Sequence, residues 1–255
     1  MEKLTSNSSI VGIIPARFAS NRLPGKPLAE IAGRPMVQHV YERACRANLL
    51  DEVLVATDSP EIAAAVEAFG GRAVMTDANH ATGTDRLAEV AAALPQADVI
   101  VNIQGDEPLI DPAAIDAVAE LLIQQPDCLM SSAMTALDDP SEVEDPSVVK
   151  VVTALDGSAL YFSRSPIPTT HSKTPESEWR KHLGLYAYRR SFLLELTTFP
   201  PTPLEKAESL EQLRVLENGF RIAMVELSAH DSIGVDTTDD LERVRAILEA
   251  RKSIG

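Results

Sequence analysis

The stretch ADVIVNIQGD, residues 97–106, carries the strongest strand signal of the sequence and indicates the fold class. Its run of β-branched apolar residues ends in polar residues and a glycine, which is typical of a strand buried on both faces of a parallel sheet. Two other runs have the same character, SIVGIIP at residues 9–15 and DEVLVATD at residues 51–58. RAVMT predicts a shorter strand at residues 72–76.

Helical patterns separate these strands. They are PMVQHVYERACRANLL at residues 35–50, SPEIAAAVEAFGG at 59–71 and TDRLAEVAAAL at 84–94. In the second of them, Ser59 is expected to be the N-cap and Gly70 to end the helix. This alternation of strands and helices with short connections predicts a mostly parallel, doubly wound α/β sheet of the Rossmann-like type.

The pattern changes at about residue 128, where strands follow one another without long helices between them. We expect strands within CLMSSAMTAL, SVVKVVTAL, SALYFSRS and HLGLYAYRR and at 222–227, an acidic loop at 138–147, and helices near 191–198, 209–218 and 238–250. Consecutive strands of this kind favour antiparallel pairing. The second half of the chain therefore predicts a smaller antiparallel part beside the parallel sheet.

Composition excludes several classes of partner. The 255 residues include 38 Asp and Glu against 23 Lys and Arg, a formal net charge of −15. Nucleic acid or an anionic membrane would require a basic face, so we expect neither as a partner. No apolar run approaches the roughly 20 residues of a membrane-spanning helix, and residues 1–10 lack the apolar core of a signal peptide, so we expect a cytoplasmic protein. Cys45 and Cys128 stand apart and are expected to be buried free thiols.

In so acidic a chain, the loop at residues 17–26 stands out because it carries Arg17, Arg22 and Lys26. Arginine binds phosphate oxygens with two parallel N–H groups and lysine supplies a point charge, so the three cations suit a triphosphate. Neither GxGxxG nor GxxxxGK[ST] occurs, so the common phosphate-binding loops are absent. Because ligands bind at the carboxyl ends of parallel strands, we expect Asp106 in the same cleft. A solvated loop remains the alternative on composition alone.

Seven segments in chain order carry a resemblance to a known family. They are PARFASNRLPGKPL, TGTDRLAEV, VNIQGDEPLI, VVKVV with ALYFSRSPIP, HLGLYAYRRSFL, PLEKAESLEQLRVLENG and GVDTTDDLERVR. Together they are similar to the 3-deoxy-manno-octulosonate (Kdo) cytidylyltransferases, or CMP-Kdo synthetases, over about residues 10–245. The chain departs from that family at Ala81-Thr82, where Gln-Ser is common, and at Glu217-Asn218, where Trp-Tyr is common.

The resemblance implies one nucleotidyltransferase domain over residues 1–255. Within it we expect a nucleotide-binding part at 1–127, a sugar-acid-binding and dimerisation part at 128–230, and a C-terminal return and helix at 231–255. The implied reaction transfers CMP from CTP to Kdo and releases pyrophosphate, which activates Kdo for lipopolysaccharide synthesis. Mg²⁺ is the implied cofactor, and a homodimer the implied assembly.

Three alternatives stay open at this point. The chain could activate another sugar acid, such as an N-acylneuraminate or an 8-amino variant of Kdo. It could also be an inactive nucleotide-binding or regulatory protein on the same fold. An NAD-dependent oxidoreductase is disfavoured because the glycine fingerprint is absent.

The resemblance also implies the site residues. The catalytic residues would be Lys26, Asp106 and Asp236, and the two aspartates would be the metal ligands. The nucleotide contacts would be Ala16, Arg17, Ser20, Arg22, Lys26, Gly83, Arg86 and Gln104. The sugar-acid contacts would be Arg164, His182, Tyr186, Glu211 and Gln212. Taken singly, several of these segments have an ordinary interpretation: Thr84 suits an N-cap, and the spacing of Ser209 and Gln212 suits a capping box.

Overall fold

The computed structural model describes residues 8–18, 23–137, 139–169, 179–228 and 233–252. The chain divides into two compact units. The first unit comprises Met1–Asp116 and Asp231–Gly255, and the second comprises Ala117–His230. None of the helices within the described residues has both the length and the apolar character that a membrane crossing requires.

The first unit is built on parallel strands. Its strands are β1 (Ile10–Ala16), β2 (Glu30–Ile31), β3 (Arg34–Pro35), β4 (Glu52–Thr57), β5 (Ala73–Met75) and β6 (Val99–Asn102). Strands β6, β1, β4 and β5 lie side by side in that order, and each neighbouring pair is parallel. The short strands β2 and β3 form a separate antiparallel pair. The four strands expected before residue 107 are therefore confirmed, together with the parallel α/β fold class.

The second unit contains the antiparallel pairing. Its strands are β7 (Met130–Ala136), β8 (Lys150–Thr153), β9 (Ala159–Ser163), β10 (Arg180–Arg189) and β11 (Ile222–Leu227). Strand β10 is antiparallel to β7 and β8, and β8 forms an antiparallel hairpin with β9. Strand β11 departs from this pattern because it runs parallel to β7.

The helices follow the sequence pattern closely where they are long. They are α1 (Met36–Ala44), α2 (Pro60–Ala68), α3 (Gly83–Ala92), α4 (Pro112–Gln124), α5 (Pro140–Glu144), α6 (Arg190–Leu196), α7 (Pro203–Glu208), α8 (Leu213–Glu217) and α9 (Thr238–Lys252). Ser59 caps α2 through its hydroxyl, which accepts from the Ile62 N–H, and Gly70 follows the helix with a φ of 83°. Helix α3 is capped by Thr82 rather than Thr84, since Thr82 and Asp85 form a reciprocal capping box.

Three local predictions were wrong. The acidic segment at 138–147 contains the short helix α5, capped by Asp139. The helix expected over 209–218 is limited to α8, Leu213–Glu217, because Ser209 takes a left-handed conformation with a φ of 52° and ends the preceding helix α7. Ser209 therefore forms no capping box with Gln212. Cys45 is exposed, although Cys128 is buried as expected.

A close backbone approach fixes the loop that follows β6. A Cβ atom built on Gly105 would lie 2.6 Å from the Pro15 carbonyl oxygen and 3.4 Å from Ile14 Cγ2. The pairing of β6 with β1 has already ended at Ile13, so this loop passes directly over the carboxyl end of β1. A glycine at position 105 is thus what allows the next residue, Asp106, to lie beside that strand end.

Replacing Gly105 with alanine tests this constraint. The added methyl group must push the loop away from Pro15, so we expect the free energy of unfolding to fall by about 1–3 kcal/mol, the usual cost of overpacking. Gly83→Ala is the matched control, because a Cβ there would lie at an ordinary 3.8 Å from Pro15 Cγ. Urea unfolding of both variants measures the difference, and equal stabilities would contradict the close-approach argument.

Candidate active site

Three charged side chains from distant parts of the sequence meet in the first unit. Lys26 Nζ lies 2.7 Å from Asp106 Oδ2 and 3.0 Å from Asp236 Oδ1. The lysine side chain is 15% exposed, and the two carboxylates are 29% and 47% exposed, so solvent reaches the cluster from one side. The structure thus brings together the three residues that were expected to be catalytic.

The turn before Lys26 sets its direction. Gly25 has a φ of 68°, a left-handed conformation that glycine adopts without strain, and a single turn of 3₁₀ helix follows at Lys26–Leu28. Backbone hydrogen bonds close this corner, from Lys26 N–H to the Leu23 carbonyl at 3.1 Å and from Leu28 N–H to the Gly25 carbonyl at 2.8 Å. The PGKP segment therefore forms a tight turn, from which the long and flexible side chain of Lys26 extends.

The two carboxylates are held by backbone contacts between their segments. The Val235 N–H donates to the Asp106 carbonyl at 2.9 Å, and the Asp236 N–H donates to Asp240 Oδ2 at 3.1 Å. Asp240 also accepts from Thr237, the residue directly before α9. A buried apolar cluster packs α9 against the rest of the unit and contains Ile31, Met36, Leu109, Val235, Leu241 and Val244. This packing brings together two aspartates that lie 130 residues apart in the sequence.

The charges of the cluster stabilise one another. Burial alone would lower the pKa of Lys26, but the adjacent Asp106 and Asp236 carboxylates outweigh it and raise that pKa. Burial raises the pKa of Asp106, with Glu107 and Asp236 adding to the effect and Lys26 opposing it. The ammonium group is therefore fully charged at neutral pH and compensates two carboxylates that would otherwise repel each other.

The donor set of this cluster suits a hard divalent cation. Mg²⁺ in proteins is commonly held by one or two carboxylates plus substrate phosphates and water. Asp106 and Asp236 direct one oxygen each at the same positive charge. Within the described residues there is no group of three or more His, Cys, Asp or Glu side chains that could hold a metal ion. A metal bound at this pair would therefore need further ligands from a substrate.

Other nucleotide-side residues lie near the carboxyl end of β1. Ala16 is buried in β1, Arg17 is exposed just after it, and Gln104 is half-buried in the loop after β6. Gly83 begins α3 close to Pro15, and the protein's own packing leaves room for a side chain at that position. The expected contacts Ser20 and Arg22 lie outside the described residues.

Arg86 lies inside the protein and is not exposed at all. Its Nη2 donates to Asp58 Oδ2 at 2.9 Å, and its Nη1 contacts the Thr76 hydroxyl. Asp58 and Thr76 follow β4 and β5, so the arginine fastens the first turn of α3 to two strand ends. Neither partner was expected from the sequence, although polar residues at the ends of two predicted strands were a usable signal. A nucleotide contact by Arg86 stays a prediction.

In the second unit, a bulge in β10 brings two expected sugar-side residues together. Between Leu183 and Tyr186, β10 advances three residues while β7 advances one. In a regular strand, residues four apart are separated by roughly 13 Å. Here the ring centroids of His182 and Tyr186 lie 5.4 Å apart. The bulge thus redirects the strand and builds an aromatic surface.

His182 is neutral in this environment. Burial lowers the pKa of its imidazole to about 3. Its Nε2 lies 2.9 Å from the Ser132 hydroxyl, and the Phe162 ring packs edge-on at 4.8 Å between centroids. The neutral ring can therefore donate or accept a hydrogen bond, but it does not provide a positive charge to a ligand at neutral pH.

Arg164 is held by backbone carbonyls. Its Nε donates to the Glu208 carbonyl at 2.7 Å, and its two terminal nitrogens donate to the Pro146 carbonyl at 2.8 Å and the Ser209 carbonyl at 3.3 Å. The Glu208 carboxylate in turn accepts from the Arg164 N–H at 2.9 Å and from the Ser163 hydroxyl at 2.7 Å. Burial opposes ionisation of Glu208, but these hydrogen bonds outweigh it and hold its pKa below the ordinary value.

Lys150 completes this arrangement from inside the unit. It is fully buried, and its ammonium group donates to the carbonyls of Asp145 at 2.9 Å, Val148 at 2.6 Å and Arg164 at 2.6 Å. Burial lowers its pKa. This lysine lies within the VVKVV segment, and the sequence pattern predicted no role for it. The structure shows that it fixes the backbone of Arg164 and of the segment that precedes β8.

Glu211 and Gln212 lie where α7 passes into α8. Arg214 is buried and binds the two oxygens of Glu205 at 2.8 and 2.5 Å, and its Nη2 lies 3.7 Å from Glu211 Oε1. Gln212 is buried, and its Nε2 has no hydrogen-bond partner in the described part of the chain. An unsatisfied buried donor is rare and suits a site that receives an acceptor from a ligand.

Comparisons with known proteins agree with this geometry. A family model described as cytidylyltransferase matches residues 11–224. The 3-deoxy-manno-octulosonate cytidylyltransferase of Solibacter usitatus is 54% identical, with 94% of this chain and 95% of that protein covered. The chain belongs to the 3-deoxy-manno-octulosonate cytidylyltransferase family. The relative of the same name from Geobacter sulfurreducens is 56% identical over 92% of this chain and 98% of its own length.

A solved structure extends the likeness to three dimensions. The CMP:2-keto-3-deoxy-manno-octonic acid synthetase complexed with CTP superposes with a TM-score of 0.91 at 45% identity. The match covers 96% of this chain and all of that protein. Fold and family are therefore established together, over nearly the whole length of the chain.

The two departures from the common family pattern have structural roles here. Thr82, in the place of a common serine, supplies the N-cap of α3, a task that serine and threonine perform alike. Glu217, in the place of a common tryptophan, accepts from the N–H groups of Leu204 at 3.0 Å and Glu205 at 3.2 Å. It therefore caps the start of α7 from the end of α8.

The low pKa of His182 predicts a pH dependence of stability. The unfolded histidine binds a proton below about pH 6.5, whereas the folded one stays neutral down to about pH 3. The stabilising contribution is thus complete above pH 6.5 and is lost as the pH falls towards 3. Between pH 7.5 and 5.5, wild type should lose about 1.4 kcal/mol more unfolding free energy than His182→Gln, measured in urea. Parallel losses in both proteins would contradict a neutral buried imidazole.

Proposed function

We propose that this protein transfers CMP from CTP to Kdo and releases pyrophosphate. The observation that carries the proposal is the meeting of Lys26, Asp106 and Asp236 on a cytidylyltransferase scaffold. The names of the relatives and the CTP bound in the similar structure support both substrates. An inactive regulatory role is disfavoured, because this chain keeps the cation and both carboxylates within hydrogen-bonding distance.

The reaction is a direct displacement at phosphorus. The anomeric hydroxyl of the sugar acid attacks the α-phosphorus of CTP in line, its proton is lost to solvent, and the bond to the β-phosphate oxygen breaks. Arg17, Arg22 and Lys26 bind the phosphate oxygens and offset the charge of the leaving pyrophosphate. No covalent enzyme intermediate is needed, since one displacement completes the transfer.

Asp106 and Asp236 would hold Mg²⁺, which would neutralise phosphate charge and favour ionisation of the attacking hydroxyl. The chain's own part is to hold the segments that carry the two carboxylates at a fixed separation. The hydrogen bond between Val235 and Asp106 and the packing of α9 perform that task.

In the second unit, the donors and acceptors suit a polyhydroxylated acid. Neutral His182, Tyr186 and the unsatisfied Gln212 amide would bind hydroxyl groups, with Glu211 accepting a hydrogen bond. Arg164 would give up one of its hydrogen bonds to a backbone carbonyl and donate to the sugar carboxylate in its place. Another sugar acid, an N-acylneuraminate or an 8-amino Kdo variant, is the alternative substrate.

Pyrophosphate release from CTP tests the reaction and its substrate. With Mg²⁺ and Kdo, wild type should release pyrophosphate, whereas N-acetylneuraminate or no sugar should give background only. Asp106→Asn should lower kcat/KM at least about a hundredfold, because it removes one carboxylate charge from the metal. Asp127→Asn, at an exposed position in the second unit, is the matched control and should retain full activity. Release with neuraminate in place of Kdo would move the substrate assignment, and no release with any sugar would refute the proposal.

The product and its setting complete the proposal. CMP-Kdo is the activated sugar acid from which lipopolysaccharide synthesis proceeds, and CTP is a cytoplasmic nucleotide. We therefore propose a cytoplasmic enzyme of lipopolysaccharide synthesis.

We also propose a homodimer through the β8–β9 hairpin. Leu160 on β9 is 61% exposed, and Leu155 in the hairpin turn is fully exposed. In the described residues, β9 pairs with β8 along its length and meets β11 through one bridge at Ser158. Two exposed leucines beside a strand edge favour a contact with a second copy.

Leu160→Lys should weaken that dimer, because it places a charge in an apolar contact. Sedimentation velocity at micromolar concentration should show a shift from dimer to monomer. Leu204→Lys, at another exposed leucine in α7, is the control and should remain dimeric. A monomeric wild type, or a dimer unaffected by Leu160→Lys, would place the interface elsewhere.

A further inference from the structure

A lysine side chain bridges Asp106 and Asp236, the two carboxylates proposed to hold a divalent cation. Lys26 Nζ lies within 3.0 Å of an oxygen from each carboxylate and donates a hydrogen bond to both. A lysine that bound phosphates alone would have no need to point at the metal ligands. Its present partners are thus different from the ones it would have with a nucleotide bound.

The three groups differ in how firmly they are held. Asp106 follows the tightly packed Gly105, and its carbonyl accepts from the Val235 N–H at 2.9 Å. Asp236 is fixed at the start of α9 by the backbone contact to Asp240 at 3.1 Å. Lys26, by contrast, reaches the carboxylates at the end of a flexible four-carbon stem. The ammonium can leave while the carboxylates stay in place.

We propose that Lys26 is a resident counterion of this site, which holds the two carboxylates together until the nucleotide arrives with its metal ion. The inference rests on the proposed function, because the phosphates of CTP give Lys26 its new partners. They also supply the ligands that the metal lacks. Metal binding without nucleotide is disfavoured, since it must displace an ammonium that makes two charge-assisted hydrogen bonds.

This exchange predicts effects of opposite sign on two ligands. Removing the ammonium should strengthen the binding of a bare divalent cation, because it removes both a competitor and a repulsive charge. The same change should weaken the binding of CTP, because it removes a phosphate contact. A lysine with a merely structural role would weaken both when replaced.

Mn²⁺ binding without nucleotide, followed by electron paramagnetic resonance, tests the proposal directly. Lys26→Met keeps an unbranched side chain that is one atom shorter and uncharged, and should bind Mn²⁺ roughly tenfold more tightly than wild type, the equivalent of one charge-assisted hydrogen bond. Lys181→Met is the matched control: it makes the same change in net charge in the second unit, where Lys181 pairs with Glu142 at 3.3 Å. It should leave the affinity unchanged. Asp106→Asn combined with Lys26→Met should abolish the gain.

Equal or weaker Mn²⁺ binding by Lys26→Met would overturn the proposal. Thermal unfolding gives a second readout if the variant is less stable: Mn²⁺ should raise the Tm of Lys26→Met more than that of wild type, because at one ligand concentration a lower Kd gives a larger stabilisation of the folded state. An equal shift would count against the exchange. Both measurements omit CTP and the sugar acid, so they are independent of the test of CMP transfer.

Discussion

The contact of Gly105 with the Pro15 carbonyl is the constraint on which the cluster of Lys26, Asp106 and Asp236 depends. It lays the loop after β6 over the carboxyl end of β1 and so fixes Asp106. Asp106 offers its carbonyl to the Val235 N–H, which aligns the segment that carries Asp236. The positions of Asp106 and Asp236 are thus set by backbone contacts of the segments that carry them.

In this acidic chain, buried cations bind oxygen atoms of several segments and so fix the positions of those segments. Lys150 gathers three carbonyl oxygens, Arg86 joins two strand ends, and Arg214 binds a carboxylate through two nitrogens. Each of these cations donates to at least two oxygen acceptors, which offsets the cost of burying its charge. Lys26 differs from the others because its partners are two carboxylates at a partly exposed site, and that difference makes it suited to exchange partners.

In the region proposed to bind the sugar acid, hydrogen bonds to neutral groups take the place of ion pairs. Burial keeps His182 neutral, and the bulge in β10 sets its ring against Tyr186. Lys150 and Glu208 hold the backbone at Arg164 from two directions. A polyhydroxylated ligand needs directional donors and acceptors at fixed positions, and these contacts fix them without a large net charge.

The sequence by itself determined the parallel strands, the long helices and the family, because hydrophobic periodicity and helix caps such as Ser59 act locally. It did not determine short elements such as α5 or the break at Ser209, where one left-handed residue outweighs a continuous helical pattern. Only the tertiary structure decided the rest. The spacing of Asp106 and Asp236 along the chain does not predict that they lie close together. Their proximity depends on the packing of α9, and before the structure only the resemblance to a family indicated it. The contact between the rings of His182 and Tyr186 depends on the bulge in β10. The burial of Arg86 depends on partners that follow two strands. Neither feature can be predicted from the sequence pattern alone.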